Sequence, residues 1–193
     1  MLRFLKSTAH HCLHFSSEGG SAITGYTDSD WANNSTNCKS QGGYVFISND
    51  GTIPWQSQKQ DLVATSTTEA EYIACSEASR EARWLRKLQR EDIDGILTTD
   101  DPDGADGTDQ LPSMQIYTDS QGALVHITTG ISKDISRAGT KHVDVCYHNS
   151  RDLHQRKVAK YDYVNTNDNP ADILTKALPR EKHEKFARAM GVW

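Results

Sequence analysis

Residues 25–32 read GYTDSDWA, and the reading of this stretch decides the fold. An aromatic start followed by alternating Thr, Asp, Ser and Asp is the period-2 pattern of a β-strand, with Asp28 and Asp30 on one face. An exposed strand aspartate would look the same, and spacing alone lets either Asp28 or Asp30 serve as a ligand. Working outward, residues 23–30, 43–48 and 52–57 read as three successive strands. Asn49-Asp50-Gly51 between the last two is a hairpin turn.

Three further acids lie in short segments that read as strand ends or helix starts. In STTEAEYIA (residues 66–74), Ser66 as N-cap and Glu69 three residues on form a capping box, and the helical pattern runs to about Arg90. Helical geometry puts Glu71 on one face with Ala74, Cys75, Ala78, Ala82 and Leu85, whereas Glu69 aligns with Ser76, Arg80 and Arg83. Glu71 therefore points inward and Glu69 is spent on the cap. In IYTDSQGAL (residues 116–124), Asp119 follows an apolar strand, 114–118, and Ser120 can cap a helix to about residue 129. Such strand-to-helix switches are where ligands gather in α/β folds. In NPADILTK (residues 169–176), Asn169 is the N-cap, Pro170 the first helical residue and Asp172 the third, a position where the helix dipole favours an acid whatever its role.

A loop at residues 131–140, a helical stretch at 143–153 and a strand at 158–164 separate the last two segments. Pro179 ends the helix after Asn169, and residues 180–190 form a terminal helix. Three strands, helix, strand, two helices, strand and helix make a mixed α/β order. Asp28, Glu71, Asp119 and Asp172 then suggest one metal site assembled from distant pieces, and magnesium is the hard cation that carboxylates suit.

The 193 residues suffice for one domain with a buried core. No apolar run approaches the roughly 20 residues that cross a bilayer, so no membrane partner is expected. The four cysteines (Cys12, Cys38, Cys75, Cys146) are scattered and read as reduced thiols. His10, His11, Cys12 and His14 read as a frayed terminus rather than a zinc site, which needs four ligands at defined spacing. A net charge of −5 argues against phosphate contact until its distribution is considered. Eight acids and no Lys or Arg lie between Glu91 and Gln110, leaving the rest of the chain at +3.

The order Asp, Glu, Asp, Asp resembles ribonuclease H. In its T-D-S-D-W, Tyr-Thr-Asp-Ser-Gln and Ala-Asp-Ile-Leu-Thr-Lys segments the chain resembles the ribonuclease H domain of copia-type LTR retrotransposon polyproteins. The likeness extends to Gly42-Gly43-Tyr44-Val45, Pro54-Trp55-Gln56-Ser57, Thr140-Lys141-His142-Val143-Asp144 and Leu178-Pro179-Arg180-Glu181-Lys182. It departs in the long acidic loop and at Asn149-Ser150, where apolar residues are expected.

That resemblance implies a ribonuclease H-like α/β fold, a mixed five-stranded sheet flanked by helices. It further implies hydrolysis of the RNA strand of RNA–DNA hybrids by two Mg2+ ions, with Mn2+ as a substitute, leaving a 5′-phosphate and a 3′-hydroxyl. Asp28, Glu71, Asp119 and Asp172 would be both the catalytic residues and the metal ligands. Residues 1–20 would be a remnant of the reverse transcriptase connection segment, 21–179 the ribonuclease H-like domain with an acidic insertion at 92–112, and 180–193 a C-terminal helix and tail. The partners would be the hybrid and the polymerase domain of the parent polyprotein. The setting would be intracellular, in the cytoplasm as part of a virus-like particle or in the nucleus.

Lys39, Lys59, Lys133, Arg137 and Lys141 lie in loops and offer phosphate contacts. Asn33, Asn34 or Gln121 offer minor-groove hydrogen bonds that can read a 2′-hydroxyl. His142 is given no catalytic role, and the loop 165–169 holds no histidine. Two other readings compete. One is a catalytically weak or inactive remnant that only binds hybrids. The other is an integrase or transposase core, disfavoured because its glutamate comes late in the chain.

Overall fold

Asn49 and Asp50 carry positive φ angles of 51° and 60°, the left-handed pair that a two-residue hairpin loop requires. They join β2 (Gln41–Ser48) to β3 (Gly51–Lys59), which pair antiparallel from Ser48 and Gly51 onward. The structure is a computed structural model that describes residues 2–18, 20, 22–33, 36, 38–94, 111–129 and 149–193. β1 (Thr24–Asp30) runs antiparallel to β2, and β4 (Met114–Thr118) and β5 (Ala159–Tyr163) continue the sheet in parallel, giving the order β3-β2-β1-β4-β5. This is the mixed five-stranded sheet of the expected ribonuclease H-like fold.

The helices follow from the same chain logic. A short α1 (Leu2–Ser7) precedes the sheet, α2 (Thr67–Asp94) follows β3, and α3 (Gln121–Thr129) follows β4. Residues 149–155 are helical and are called α4. After β5 come a 3-10 turn (Thr166–Asp168), α5 (Asp172–Thr175) and α6 (Arg180–Ala189).

One sheet face meets α2 and α3. Phe46, Ile116 and Tyr161 pack with Tyr72, Ala78 and Ala82 of α2 and Ile127 of α3. Burying a side chain such as Phe46 contributes on the order of 1.5–3 kcal/mol. On the other face Val45 packs with Tyr26, Ala171, Leu174 and Met190. Gly43 matters here because a Cβ at that position would lie 2.8 Å from Leu174 Cβ. Its absence lets α5 settle directly over the β1–β2 pair. Pro54 fits an edge strand because it falls where the β2–β3 register shifts, between the Val45↔Trp55 and Ile47↔Thr52 pairs.

Several expectations need correction or completion. The helix after Asn169 is a single turn. Asn169 Oδ1 accepts the Ala171 N–H as an N-cap does, but regular helix starts at Asp172, and Lys176 is already extended. Pro179 disfavours helical backbone at Leu178, so the chain leaves α5 early to reach the start of α6. In the capping box, Ser66 Oγ accepts the Glu69 N–H as expected, yet the Glu69 carboxylate takes the N–H and hydroxyl of Thr65. The N-terminal residues are not frayed. Cys12 and Trp193 exchange backbone hydrogen bonds, Leu13 bridges Val192, and the His14 ring stacks on Trp193 at 4.6 Å. Residues 143–148, the loop 131–140 and most of the acidic insertion lie outside the described residues. Among those described, no helix is long and apolar enough to cross a membrane.

Ser150 is accounted for by its partners. It is fully buried, and its hydroxyl lies 3.0 Å from Ser79 Oγ, which is 2.5 Å from the Tyr161 hydroxyl. Ser79 donates to the Cys75 carbonyl, so it accepts from both neighbours. Ser79→Ala is expected to cost about 1–3 kcal/mol in urea denaturation, because two buried hydroxyls lose their acceptor, and Ser150→Ala only about 1 kcal/mol. Equal losses would contradict Ser79 as the hub.

Candidate metal centre

The parallel register of β1 and β4 builds the site. Thr27 pairs with Thr118 at the end of their ladder, so the next residues, Asp28 and Asp119, emerge side by side where β4 stops and β1 runs on beside β2. Ser120 then starts α3, its hydroxyl accepting the Ala123 N–H. Glu71 enters from the second turn of α2, and its Oε1 accepts the Ser29 N–H at 3.1 Å. One ligand oxygen from each of Asp28, Glu71 and Asp119 lies within 4.8 Å of the others. Asp28 is 1% exposed and Glu71 9%. Glu71 Oε2 is buried with no hydrogen-bond partner, as fits an oxygen reserved for a cation.

Each acid is also held from outside. The Thr175 hydroxyl donates to Asp28 Oδ2, and the Thr166 hydroxyl donates to Asp119 Oδ2 at 2.7 Å. Asp172 is fully buried beside this group but outside the three-acid cluster. Lys182 Nζ donates to its Oδ2 at 2.5 Å. Lys176 Nζ lies 2.6 Å from its Oδ1, close as an ion pair though not aligned as a hydrogen bond, and 3.6 Å from Asp28 Oδ2. Lys176 thus bridges the fourth acid to the first.

Burial pushes the Asp28 carboxyl up to about 7, against the Thr175 hydrogen bond and the Lys176 charge, with Asp172 and Asp119 adding to the rise. Burial, then the charges of Asp28 and Asp119, hold Glu71 well above the usual carboxylate range. The cluster repels its own negative charge, and a cation is what relieves it.

Of the acids singled out by sequence, the structure gathers Asp28, Glu71 and Asp119 and ties Asp172 to Asp28 through Lys176. Asp30 instead accepts a hydrogen bond from Asn33, and the Glu69 carboxylate is taken up by Thr65. Lys59 lies at the same end of the sheet, across Gln41 from Asp30. Gln121, two residues past Asp119, opens α3. Asn34, Lys133, Arg137, Lys141 and His142 lie outside the described residues, and Lys39 stands two residues before β2. None of the four acids lines the groove of about 820 Å³ between β2–β3 and α2, so the carboxylates sit outside that cavity. Sequence reasoning missed Thr166, Thr175, Lys176 and Lys182. Three of these stood inside or beside quoted segments, but nothing in their spacing shows which acid they face.

The raised values carry a sign. Protons bind more tightly to Asp28 and Glu71 in the folded chain than in the unfolded one, so metal-free stability falls as pH rises above about 4, with the Asp28 share lost by about 7. In EDTA, the melting temperature is expected to be lower at about pH 8 than at about pH 5. Asp28→Asn should flatten that profile and melt higher than the parent at the upper pH. A variant that melts lower there would contradict the electrostatic account.

No family model matches the chain. It is 40% identical over 195 residues to the "Retrovirus-related Pol polyprotein from transposon TNT 1-94" of Nicotiana tabacum, covering 100% of this chain and 13% of that protein. It is 31% identical over 192 residues to the corresponding polyprotein from transposon RE1 of Arabidopsis thaliana, covering 100% of this chain and 12% of that one. Among solved structures it is similar to LC11-RNase H1 in complex with RNA/DNA hybrid, with a TM-score of 0.49 and 15% identity over 79% of this chain and 93% of that one. The chain therefore spans about an eighth of the curated relatives that it matches. Over its full length the chain thus matches one segment of copia-type retrotransposon Pol polyproteins, and its sheet has the strand order expected of a ribonuclease H-like fold.

Proposed function

We propose that this domain is a metal-dependent ribonuclease H that cuts the RNA strand of RNA–DNA hybrids during reverse transcription. The observation that carries the reading is the convergence of Asp28, Glu71 and Asp119 oxygens within 4.8 Å, with Glu71 Oε2 left without a partner. An all-carboxylate donor set fits Mg2+, with Mn2+ as a substitute. When bound, a pair of such ions activates water and stabilises the departing oxygen of a phosphodiester.

The chain's own residues supply the rest. Asp28, Glu71 and Asp119 would hold the first ion. Asp172, next to Asp28 and charge-balanced by Lys176 and Lys182, would complete the second position. Thr166 and Thr175 fix the carboxylates of Asp119 and Asp28, so the oxygens need little reordering. Carboxylates standing at the end of a sheet suit a polymeric strand passing over them. Lys59, Asn33 and Gln121, at or beside that end, would contact such a strand. The products would be a 5′-phosphate and a 3′-hydroxyl. The polymerase part of the parent polyprotein would be the partner that delivers the hybrid.

Incubation with a hybrid labelled on its RNA strand is expected to give Mg2+-dependent RNA cleavage. Asp119→Asn should reduce it by more than the roughly 10–100-fold typical of losing an outer-shell partner of a metal site. A folded parent that binds hybrid but does not cut it, in Mg2+ or Mn2+, would instead be the hybrid-binding remnant. Comparable cleavage by parent and variant would remove Asp119 from the site.

A further inference from the structure

We infer that α6 belongs to the metal centre, with Lys182 and Lys185 acting as positioning residues for Asp172 and Asp119. The two lysines are three residues apart and so share one helical face. Both ammonium groups also lie over the ring of buried Phe186, at 5.2 and 5.7 Å, which anchors them to the helix they leave.

Lys182 acts directly, through its 2.5 Å contact with Asp172 Oδ2. Because Asp172 is 0% exposed, removing that partner leaves a buried carboxylate short of one of its two cations, a costly change. Lys185 acts at one remove. Its Nζ donates to the Asn167 carbonyl at 2.6 Å and to Asp168 Oδ1 at 2.7 Å, gripping the 3-10 turn. Asn165 Oδ1 accepts the Asn167 N–H and closes that turn from within. Thr166, its first residue, is the one whose hydroxyl holds Asp119. The Lys185–Asp168 pair is exposed, at 54% and 63%, so its Coulomb contribution is small. Its importance is in fixing where Thr166 stands.

The helix is pinned well enough to serve as a brace. At its far end the Met190 carbonyl accepts both the N–H and the hydroxyl of Thr52, and the Gly191 carbonyl accepts the His14 N–H. At its near end His183 meets the Phe4 ring edge-on at 6.1 Å. The positions of two carboxylates are thereby referred to the hairpin and to the N-terminal segment.

The kinetic arm of the test rests on the ribonuclease reading, and the binding arm does not. In the full chain, Lys182→Met and Lys185→Met are each expected to lower kcat on a hybrid about 10-fold or more, with KM changed by less than about 2-fold. Lys185→Arg should restore most of the loss. Calorimetric titration with Mn2+ should show tighter binding to Lys182→Met by about 3-fold or more, since a positive charge beside the site is gone. Raised KM with kcat retained and a shallower salt dependence would overturn the inference, since the lysines would then be phosphate contacts. Unchanged Mn2+ affinity in Lys182→Met would also overturn it. A parent that cuts no hybrid would refute the ribonuclease reading and leave the Mn2+ titration to decide this one. Where Lys182→Met does not fold, Lys185→Met and Lys185→Arg, at an exposed pair, carry the same decision.

Discussion

Like-charge repulsion among Asp28, Glu71 and Asp119 is the constraint around which the surrounding structure is arranged. The parallel pairing of β1 with β4 forces two of the acids together, and α2 drives the third in beside them from above the sheet. Left to themselves such groups would take up protons, as the raised Asp28 and Glu71 values show. Hydroxyls from Thr166 and Thr175 and the Ser29 N–H fix the carboxylates without neutralising them. Among the described residues Asp172 is given two cationic partners, Lys176 and Lys182, while Asp28 shares the first of them at longer range. The arrangement keeps one part of the acidic group short of positive charge and the other balanced.

That unrelieved charge works against folding above the pH at which the buried carboxyls lose their protons. The cost falls on elements well able to bear it. α2 presents a run of buried alanines and Tyr72 to the sheet, and the hydroxyl trio of Ser79, Ser150 and Tyr161 fixes α4 and β5 against it.

What could be read from the sequence was what is encoded locally. Asn49-Asp50 names its own turn because both residues tolerate positive φ, and helical periodicity turns Glu71 rather than Glu69 toward the other acids, although both side chains are buried and Glu69 is held by Thr65. Asn169 is legible in a similarly local way, its side-chain oxygen accepting the Ala171 N–H two residues on. What could not be read depends on partners far along the chain. Ser150 looked out of place until Ser79 and Tyr161, 71 and 11 residues away, were seen to meet it. Lys182 looked like an ordinary charge on a terminal helix, and nothing in its neighbours indicates Asp172. The pairing of Cys12 with Trp193 joins opposite ends of the described chain, and no local pattern can announce it. α5 was misjudged in length because the pull of Pro179 and the need to place Thr175 and Lys176 over Asp28 both act after the cap.

The bulge at Pro54 has a consequence for how this sheet meets other sheets. β3 is an outer strand, and an outer strand normally offers a row of unused backbone groups to any passing chain. Here Thr52 has already given its N–H to Met190, Pro54 has none to give, and the register shift bends the strand between them. Lys59 closes the row with a charge. At this edge, copies crowded together at high local concentration therefore meet an interrupted row of backbone groups, a poor template for β-aggregation.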